Sequence, residues 1–297
     1  MQANRNNQMF TQVLVQPFSS TLIDDIDSFK GALAFWWIGQ AGFAFRWHEK
    51  IFLIDPYLSD FLEQKYSGGQ PSHRRMMDPP LNIADLPRLD FVFISHRHGD
   101  HLDPVTIRRV QELFPQVILV LPAAEKSYAR SIGLNFSHTY FVDADRTLDF
   151  GDEQLLSVLP SAHEEIEQDE NGNNRFLGFV FTLRDARIYH SGDCVPYPGL
   201  CDAVRTAKPQ VALLPVNGRG AERFGIAGNF TLEEAVDLCQ KADVPTMIAH
   251  HYGMFAFNTI PEERIDRAAE TSKNPRVLRA KLSMRYQLIS QKPKTRS

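Results

Sequence analysis

Cysteine is scarce in this sequence, which has three among 297 residues: Cys194, Cys201 and Cys239. So few cysteines, and an odd number of them, do not build the paired disulfide framework of a small secreted domain. They favour free thiols in a reducing compartment, and we therefore expect a cytoplasmic protein. We also expect Cys194 to be a packed thiol rather than a metal ligand.

Long apolar runs are missing as well. Residues 1–11 are polar and lack the apolar centre of a secretory signal peptide. The longest apolar stretches fall well short of the about 18 residues needed to cross a bilayer. No basic amphipathic segment is evident that would dock on a membrane surface. The sequence therefore predicts no membrane partner.

Positive charge is not in excess, since 32 Lys and Arg stand against 36 Asp and Glu, for a net charge of −4. A surface that binds nucleic acid in general requires a basic stripe. We therefore expect no nucleic-acid partner. The balance leaves room for one basic pocket that binds a small anion.

Length and composition are those of a globular protein, with 43% hydrophobic and 23% charged residues, and 297 residues can bury a sizeable core. Because no linker stands out, we expect one domain over residues 1–297. Residues 1–30 are expected to form an irregular or partly helical N-terminal arm. Residues 59–90 are rich in glycine, proline and charge, and we expect a long functional loop there, which we call the lid.

Hydrophobic periodicity predicts strands that alternate with helices. The predicted strands cover residues 33–38, 42–46, 51–54, 91–94, 117–121, 140–142, 154–159, 179–183, 187–190, 211–214 and 246–249. The predicted helices cover residues 104–114, 123–132 and 232–241, and one or two more follow Pro261. We infer an α/β (α+β) fold of two similar β-rich halves with helices outside.

Four side chains that can bind metal fall within six residues: His96, His98, Asp100 and His101. They directly follow the predicted strand 91–94. Imidazole and carboxylate ligands suit zinc, manganese or iron. His96 and His98 point the same way on an extended chain, and Gly99 permits a turn that presents the next ligands to a second ion. We interpret the stretch as half of a two-metal hydrolytic site.

The remaining ligands are expected at other strand ends, where ligand sites of layered α/β proteins usually lie. His163, Asp193 and His251 each follow a predicted strand. His250 competes with His251 for the last ligand position, and the spacing alone does not choose between them.

Two further residues are expected to support the ligands. Asp55 ends a predicted strand, and a carboxylate there can accept a hydrogen bond from a ligand imidazole and fix its orientation. His190 lies inside the strand before Asp193, and we expect it beside the ligands or in the core.

The residue set resembles that of the metallo-β-lactamase superfamily: Asp55, His96-x-His98-x-Asp100-His101, His163, Asp193 and His251. A closer resemblance, over roughly residues 33–260, is to its L-ascorbate-6-phosphate lactonase-like branch. That resemblance is carried by Phe35-Trp36-Trp37-Ile38-Gly39, Tyr189-His190-Ser191-Gly192-Asp193, Leu214-Pro215-Val216-Asn217-Gly218-Arg219, Gly228-Asn229 and His250-His251-Tyr252.

The resemblance implies a four-layer αββα sandwich with two divalent metal ions at the sheet edges. It implies that His96, His98 and His163 hold one ion, that Asp100, His101 and His251 hold the other, and that Asp193 bridges them. In the lactonase pattern a carboxylate stands at the position of His163. Zinc, manganese and iron therefore all stay open, and the resemblance also implies a homo-oligomer.

Two such ions can share a water and make it hydroxide near neutral pH, and Asp100 is then the expected catalytic base. We expect a metal-dependent hydrolase of lactonase type, acting on a small anionic, sugar-phosphate-like substrate. The expected substrate-binding residues are Asn217, Arg219 and Asn229, with Arg219 pairing a phosphate or carboxylate. Arg223 and the lid residues Arg74 and Arg75 are further candidates.

Two alternatives remain open. One is a metal-dependent phosphodiesterase, because Arg74-Arg75…Pro79-Pro80-Leu81 resembles the lead-in of the phospholipase D-type phosphodiesterases of the same superfamily. The other is a non-catalytic metal-binding scaffold. A complete ligand set argues against the scaffold, because a scaffold needs neither an open coordination position nor a base.

Overall fold

The structure, a computed structural model, describes residues 10–151, 153–220 and 226–290. The strands in those ranges are β1 (Phe10–Pro17), β2 (Leu33–Trp37), β3 (Phe43–Trp47), β4 (Lys50–Ile54), β5 (Phe91–Phe93), β6 (Ile118–Pro122), β7 (Thr139–Val142), β8 (Thr147–Asp149), β9 (Gln154–Pro160), β10 (Leu177–Leu183), β11 (Ala186–His190), β12 (Val211–Pro215), β13 (Thr246–His250), β14 (Arg276–Arg279) and β15 (Met284–Ser290). The α-helices are α1 (Leu22–Ser28), α2 (Phe61–Lys65), α3 (Pro104–Leu113), α4 (Lys126–Ser131), α5 (Leu200–Ala207), α6 (Leu232–Lys241) and α7 (Glu262–Thr271).

The described strands form two sheets. The first has the order β1-β15-β2-β3-β4-β5-β6-β7, and the second has the order β14-β13-β12-β11-β10-β9-β8. Strands β4 to β7 run parallel to one another, as do β11 to β14. Each sheet therefore has a run of parallel strands whose carboxyl ends lie at one edge, the usual position of a ligand site.

The first sheet is buried on both faces, and its strands alternate between two layers of core. On β2, Phe35 and Trp37 belong to the core shared with the second sheet, whereas Ala34 and Trp36 belong to the core under the helices. This follows from the two-residue period of a strand. It also explains why β2, Leu33–Trp37, is entirely apolar rather than alternating.

Aromatic rings hold the two sheets together. Phe45 stacks on Phe52 with ring centroids 4.6 Å apart, and Phe181 of the second sheet packs on both Phe52, at 5.4 Å, and Phe93, at 4.9 Å. Aromatic pairs at these spacings add stability beyond their buried area. The inner layer is therefore rigid where it supports the strand ends.

Helices cover the outer faces. Residues of α1, α3 and α4 pack in one apolar cluster with the first sheet, and residues of α5, α6 and α7 pack with the second. The helix α6 matches the predicted bounds, and its N-cap Thr231 forms a capping box with Glu234. The prediction of a mixed α/β fold, with two sheets and flanking helices, is confirmed.

Three local predictions were wrong or incomplete. Residues 10–17, expected in an irregular or partly helical arm, form the edge strand β1, which pairs with β15 from the other end of the sequence, while α1 forms the helical part. The helix predicted after Pro261 is confirmed as α7, but the strands β14 and β15 that follow it were not predicted. The lid, expected to be structureless, contains α2 and a 3₁₀ turn at Ile83–Asp85. The strands β1, β14 and β15 form because they pair with strands far away in the sequence, and local periodicity does not indicate such pairing.

Among the described residues, no helix has the length and apolar character needed to cross a bilayer. The helices α3, α6 and α7 are the longest described, at 10 residues each. A bilayer-spanning helix needs about 20.

The thiols give a first test of the packing. Cys194 and Cys239 are buried, and burial raises the pKa of Cys194 to about 11 and that of Cys239 as well, so neither thiol ionises near neutral pH. Cys201 is half-buried at the surface of α5. We expect a chromogenic disulfide reagent to label one thiol in the folded protein and three after unfolding. The Cys201→Ser variant should lose the labelling that is seen in the folded protein. Rapid labelling of all three thiols in the folded protein would contradict this packing.

Candidate metal centre

The candidate site lies where strand ends of both sheets meet. The motif His96–His101 begins three residues after β5, and His251 directly follows β13. Asp193 lies three residues after β11, and His163 lies three residues after β9. These strands belong to different sheets, so packing of the two sheets is what brings the four segments together.

A tight turn and a helix cap fix the shape of the motif. The carbonyl of His98 accepts hydrogen bonds from the backbone N–H of His101 and Leu102, at 3.0 and 2.8 Å. Asp103 then caps α3, where its Oδ1 accepts from the N–H of Val105 at 3.0 Å and Pro104 occupies the first helical turn. The chain therefore reverses between strand and helix, and both halves of the motif face one centre.

The first group of candidate ligands is His96, His98 and Asp193, each with one ligand atom within 4.8 Å of the others. The rings of His96 and His98 have centroids 4.7 Å apart. His163 lies beside this group, with its ring 5.2 Å from that of His98 and its Nε2 3.8 Å from Asp193 Oδ2. Three imidazoles and a carboxylate therefore converge here.

The second group is Asp100, His101 and His251, whose ligand atoms also lie within 4.8 Å of one another. Asp193 belongs to this group by geometry too, because its Oδ1 lies 3.4 Å from His101 Nε2 and 3.1 Å from His251 Nε2. Its Oδ2 faces His163 of the first group. The carboxylate of Asp193 thus stands between the two groups.

Hydrogen bonds on the far side of two imidazoles direct their other nitrogen into the centre. His101 Nδ1 lies 2.8 Å from Asp55 Oδ2, and His96 Nδ1 lies 2.9 Å from Ser95 Oγ. The Nε2 atoms of both histidines are buried without a hydrogen-bond partner, as is Asp193 Oδ1. Buried polar atoms rarely lack a hydrogen-bond partner. Because these unpaired atoms all belong to side chains that can bind metal, the residues fit a bound metal ion.

Burial keeps two of the imidazoles neutral. It lowers the pKa of His98 to about 4, with His163 adding to the effect, and lowers that of His96 well below its usual value. Burial raises the pKa of Asp193, but His251 and His101 outweigh it and hold the pKa well below its usual range. His101 differs from them. Burial lowers its pKa, but Asp193 and Asp55 outweigh burial and raise that pKa well above its usual value, so a metal ion bound at His101 would displace a proton.

Gln40 is a site residue that the sequence analysis did not identify. Its side-chain Nε2 donates a hydrogen bond to Asp100 Oδ2 at 2.8 Å and lies 3.3 Å from His251 Nε2. Its backbone carbonyl accepts a hydrogen bond from the backbone N–H of His251 at 3.0 Å. Gln40 is fully buried in the turn between β2 and β3. Gly39 and Gly42 indicated that turn in the sequence, but these contacts span 60 and 211 positions and left no local signal.

The structure separates the roles of His250 and His251. His251 contributes to the second group, whereas the ring of His250 stacks on that of His190, 5.2 Å away and 14° from parallel. His190 Nδ1 accepts from the N–H of Gly192 at 3.1 Å. His190 therefore lies in the core behind the site and supports the turn that presents Asp193.

The residues predicted to bind substrate lie elsewhere than expected. Asn217 and Asn229 are fully buried, and Asn229 Nδ2 donates to Asn217 Oδ1 at 3.0 Å. Asn217 Nδ2 in turn donates to Asn258 Oδ1 at 2.7 Å. This chain of amides ends at Asn258, which lines the cavity in front of the site. Asn258 is therefore the member of the three that borders that cavity.

The arginines that the sequence suggested for substrate binding are also placed differently from what was expected. The guanidinium of Arg219 is occupied by the carboxylate of Glu234, with Nη2 2.5 Å from Oε1 and Nη1 2.6 Å from Oε2. Arg75 donates to the carbonyls of Tyr57 and Ser59, so it holds the lid in place. Arg74 is exposed, and Arg223 lies outside the described residues.

A cavity of about 620 Å³ opens over the site, a size typical of small-molecule pockets. His98, Gly99 and Asp100 form part of its wall. The other lining residues are Arg97, Tyr128 and Ile226, together with residues of the lid and of the segment after β13: Leu62, Lys65, Tyr66, Gln70, Pro71, His73, Phe255, Phe257 and Asn258.

The carboxylate of Asp55 should set the affinity for metal. In Asp55→Asn an amide N–H₂ replaces one acceptor oxygen, so either Ser95 or His101 loses its hydrogen-bond acceptor. We expect affinity for zinc or manganese to fall about 10–100-fold in competition with a chromogenic chelator. Asp25→Asn is the matched control, because Asp25 is a buried carboxylate that accepts from Trp36 and Arg285 away from the site. Unchanged affinity in a folded Asp55→Asn would refute the role.

Arg219→Ala tests the ion pair with Glu234. Because the guanidinium is already paired, we expect KM to change equally for anionic and neutral substrates. The pair is about one-third exposed, so stability should fall by only about 0–1 kcal/mol, and Glu234→Gln should reproduce the loss apart from its added effect on the helix cap. A rise in KM confined to anionic substrates would instead restore Arg219 to substrate binding.

Comparison with known proteins identifies the family. Residues 50–252 match the family described as beta-lactamase superfamily domain. A similar sequence is the N-acyl-phosphatidylethanolamine-hydrolyzing phospholipase D 1 of Caenorhabditis elegans, 25% identical over 82% of this chain and 70% of that protein. A metal-dependent hydrolase of Alkaliphilus metalliredigens is 28% identical over 80% of this chain and 93% of that protein.

Solved structures share the fold. An isothiocyanate hydrolase from Delia radicum gut bacteria superposes with a TM-score of 0.68 at 20% identity, covering 86% of this chain and 99% of that one. A possible metal-dependent hydrolase from Veillonella parvula superposes with a TM-score of 0.67 at 17% identity, with the same coverage. This chain belongs to the metallo-β-lactamase superfamily.

Proposed function

We propose that the centre holds two divalent ions. His96, His98 and His163 would hold the first, Asp100, His101 and His251 the second, and Asp193 would lie between them. The observation that carries the proposal is the convergence of these side chains on one buried centre, where His96 Nε2, His101 Nε2 and Asp193 Oδ1 have no hydrogen-bond partner. Imidazole and carboxylate ligands suit zinc or manganese, with iron a further candidate.

Bound there, two divalent ions would lower the pKa of a bound water and polarise the ester group whose phosphorus or carbonyl carbon that water attacks. The residues of the chain supply the rest. Gln40 holds Asp100 in one orientation by its 2.8 Å hydrogen bond, and Asp100 borders the cavity. Its carboxylate is thus placed to accept a proton from the attacking water and to return it to the leaving oxygen.

The substrate that we propose is a phosphodiester. The Caenorhabditis elegans relative is named for such an activity, and its similarity extends over most of the chain. Arg97 and Lys65 line the cavity beside the candidate ligands and give it positive charge for a phosphate. These observations support the phosphodiesterase, and we propose it before the lactonase that the sequence predicted.

Opening of a lactone remains the second candidate, because the motifs between residues 33 and 260 resemble the lactonase-like branch. Its expected sugar-phosphate substrate relied on Arg219 to bind the anion. Since Glu234 occupies that guanidinium, the phosphate of such a substrate would have to bind elsewhere. The non-catalytic scaffold has no supporting observation.

Removal of a ligand should remove metal and activity together. We expect His98→Gln and Asp193→Asn to bind fewer than the about two ions per chain of the parent, as measured by elemental analysis after gel filtration. Hydrolysis of bis-p-nitrophenyl phosphate should be lost with them. His138→Gln is the control, since His138 is exposed and away from the site.

A panel of substrates then separates the candidates. Turnover of the phosphodiester by the metal-loaded protein, without turnover of sugar lactones, supports the phosphodiesterase. The reverse pattern supports the lactonase, and metal binding without either activity would leave the scaffold. Full activity in metal-free His98→Gln/Asp193→Asn would contradict all metal-dependent mechanisms.

A further inference from the structure

One wall of the cavity consists of rings. His73 stacks on Tyr66 with centroids 4.3 Å apart and 28° between planes, and it meets Phe257 edge-on at 4.9 Å. Phe255 lies 5.5 Å from His73 and stacks on Phe257 at 5.8 Å. All four rings line the same cavity as His98 and Asp100. We call these four rings the aromatic wall.

The aromatic wall carries no charge near neutral pH. Burial lowers the pKa of His73, and the positive charge of Lys65 adds to the effect, although the carbonyl of Pro71 and the carboxylate of Asp100 oppose it. The imidazole is therefore neutral and packs as a fourth ring. Its Nδ1 is buried without a hydrogen-bond partner.

The members of the aromatic wall are not equally covered. Phe255 is only 2% exposed and belongs to a small core cluster with Tyr57, Leu62 and Met254, so it supports the fold. Tyr66 is 43% exposed and Phe257 is half-buried. A large ring left uncovered beside a catalytic centre loses apolar contact that a ligand would restore. Tyr66 and Phe257 are thus the rings available to a substrate.

Positive charge lies beside the aromatic wall. The ammonium of Lys65 lies 5.0 Å from the centroid of Tyr66, and Arg97 lines the cavity next to His98. Arg97 is half exposed and 3.9 Å from Glu125 Oε2, too far for a strong pair. An anionic group at the centre and an apolar group on the rings can therefore be bound at once.

We propose that Tyr66 and Phe257, with His73 packed against both, form a subsite for the apolar substituent of an anionic ester, so that the substrate combines a phosphate with an alkyl or aromatic group. The inference rests on the proposed function and names the substrate class of that site. Each methylene moved from water onto the rings strengthens binding about fourfold.

Binding of three phosphate diesters tests the subsite directly: dimethyl, dibutyl and dibenzyl phosphate, titrated calorimetrically into the metal-loaded protein. We expect the dibutyl or the dibenzyl ester to bind about 10–100-fold tighter than the dimethyl ester. Preference for dibenzyl alone identifies a ring as the substituent, and preference for dibutyl alone identifies a chain. Equal affinity for all three would overturn the proposal.

Variants localise the preference. Phe257→Ala and Tyr66→Ala should each reduce the ratio of affinities about 3–10-fold while leaving affinity for dimethyl phosphate and metal content unchanged. Tyr140→Ala is the matched control, because Tyr140 is a 49% exposed ring outside the cavity. A ratio unaffected by both wall variants would contradict the assignment.

The experiment also separates this inference from the function on which it rests. If the wall variants change the binding ratio and no phosphodiester is hydrolysed, the subsite holds and the phosphodiesterase fails. If bis-p-nitrophenyl phosphate is hydrolysed but the three diesters bind alike, the phosphodiesterase holds and the subsite fails.

Discussion

The carboxylate of Asp55 is the interaction on which the candidate centre depends. It accepts from the N–H and the hydroxyl of Ser95, at 2.7 and 2.6 Å, and lies 2.8 Å from His101 Nδ1. Asp55 is fully buried and has a positive φ of 43°, a conformation that costs energy in a residue other than glycine. Such strain persists only where surrounding contacts determine it, and here three hydrogen bonds do so. The ends of β4 and β5 and the ring of His101 are thereby fixed as one unit.

Packing of the sheets completes the centre. Gly192 has a φ of 62°, and a Cβ there would lie 2.7 Å from the carbonyl oxygen of Leu177 and 2.8 Å from Ser95 Cβ. The turn that presents Asp193 therefore approaches the Asp55–Ser95 unit as closely as the chain allows, and only glycine fits. Each group of candidate ligands combines residues that follow β5 of the first sheet with a residue that follows a strand of the second. Because the aromatic core fixes the distance between the sheets, it also fixes the spacing of the ligands within each group. The aromatic core between the sheets therefore both stabilises the fold and sets the geometry of the candidate site.

The sequence predicted what local rules determine. Strand periodicity and the residues that follow each strand located Asp55, the His96–His101 motif, His163, Asp193 and His251, and the structure brings these together. The sequence did not predict contacts between residues that lie far apart along the chain. Gln40 contacts Asp100 and His251, which are distant in the sequence. The strand β1 pairs with a strand from the opposite end of the chain. Glu234, at the start of α6, forms an ion pair with Arg219. The cavity in front of the candidate site was not predicted for the same reason, because the lid forms most of its wall together with the segment after β13.

We propose that two ions are bound with Asp193 between them. Anomalous diffraction from crystals of the metal-loaded protein, collected at the absorption edge of the bound metal, tests this arrangement. We expect two peaks about 3.5–4 Å apart, one beside His96 and His98 and the other beside His101 and His251. A single peak, or peaks that do not flank Asp193, would contradict it.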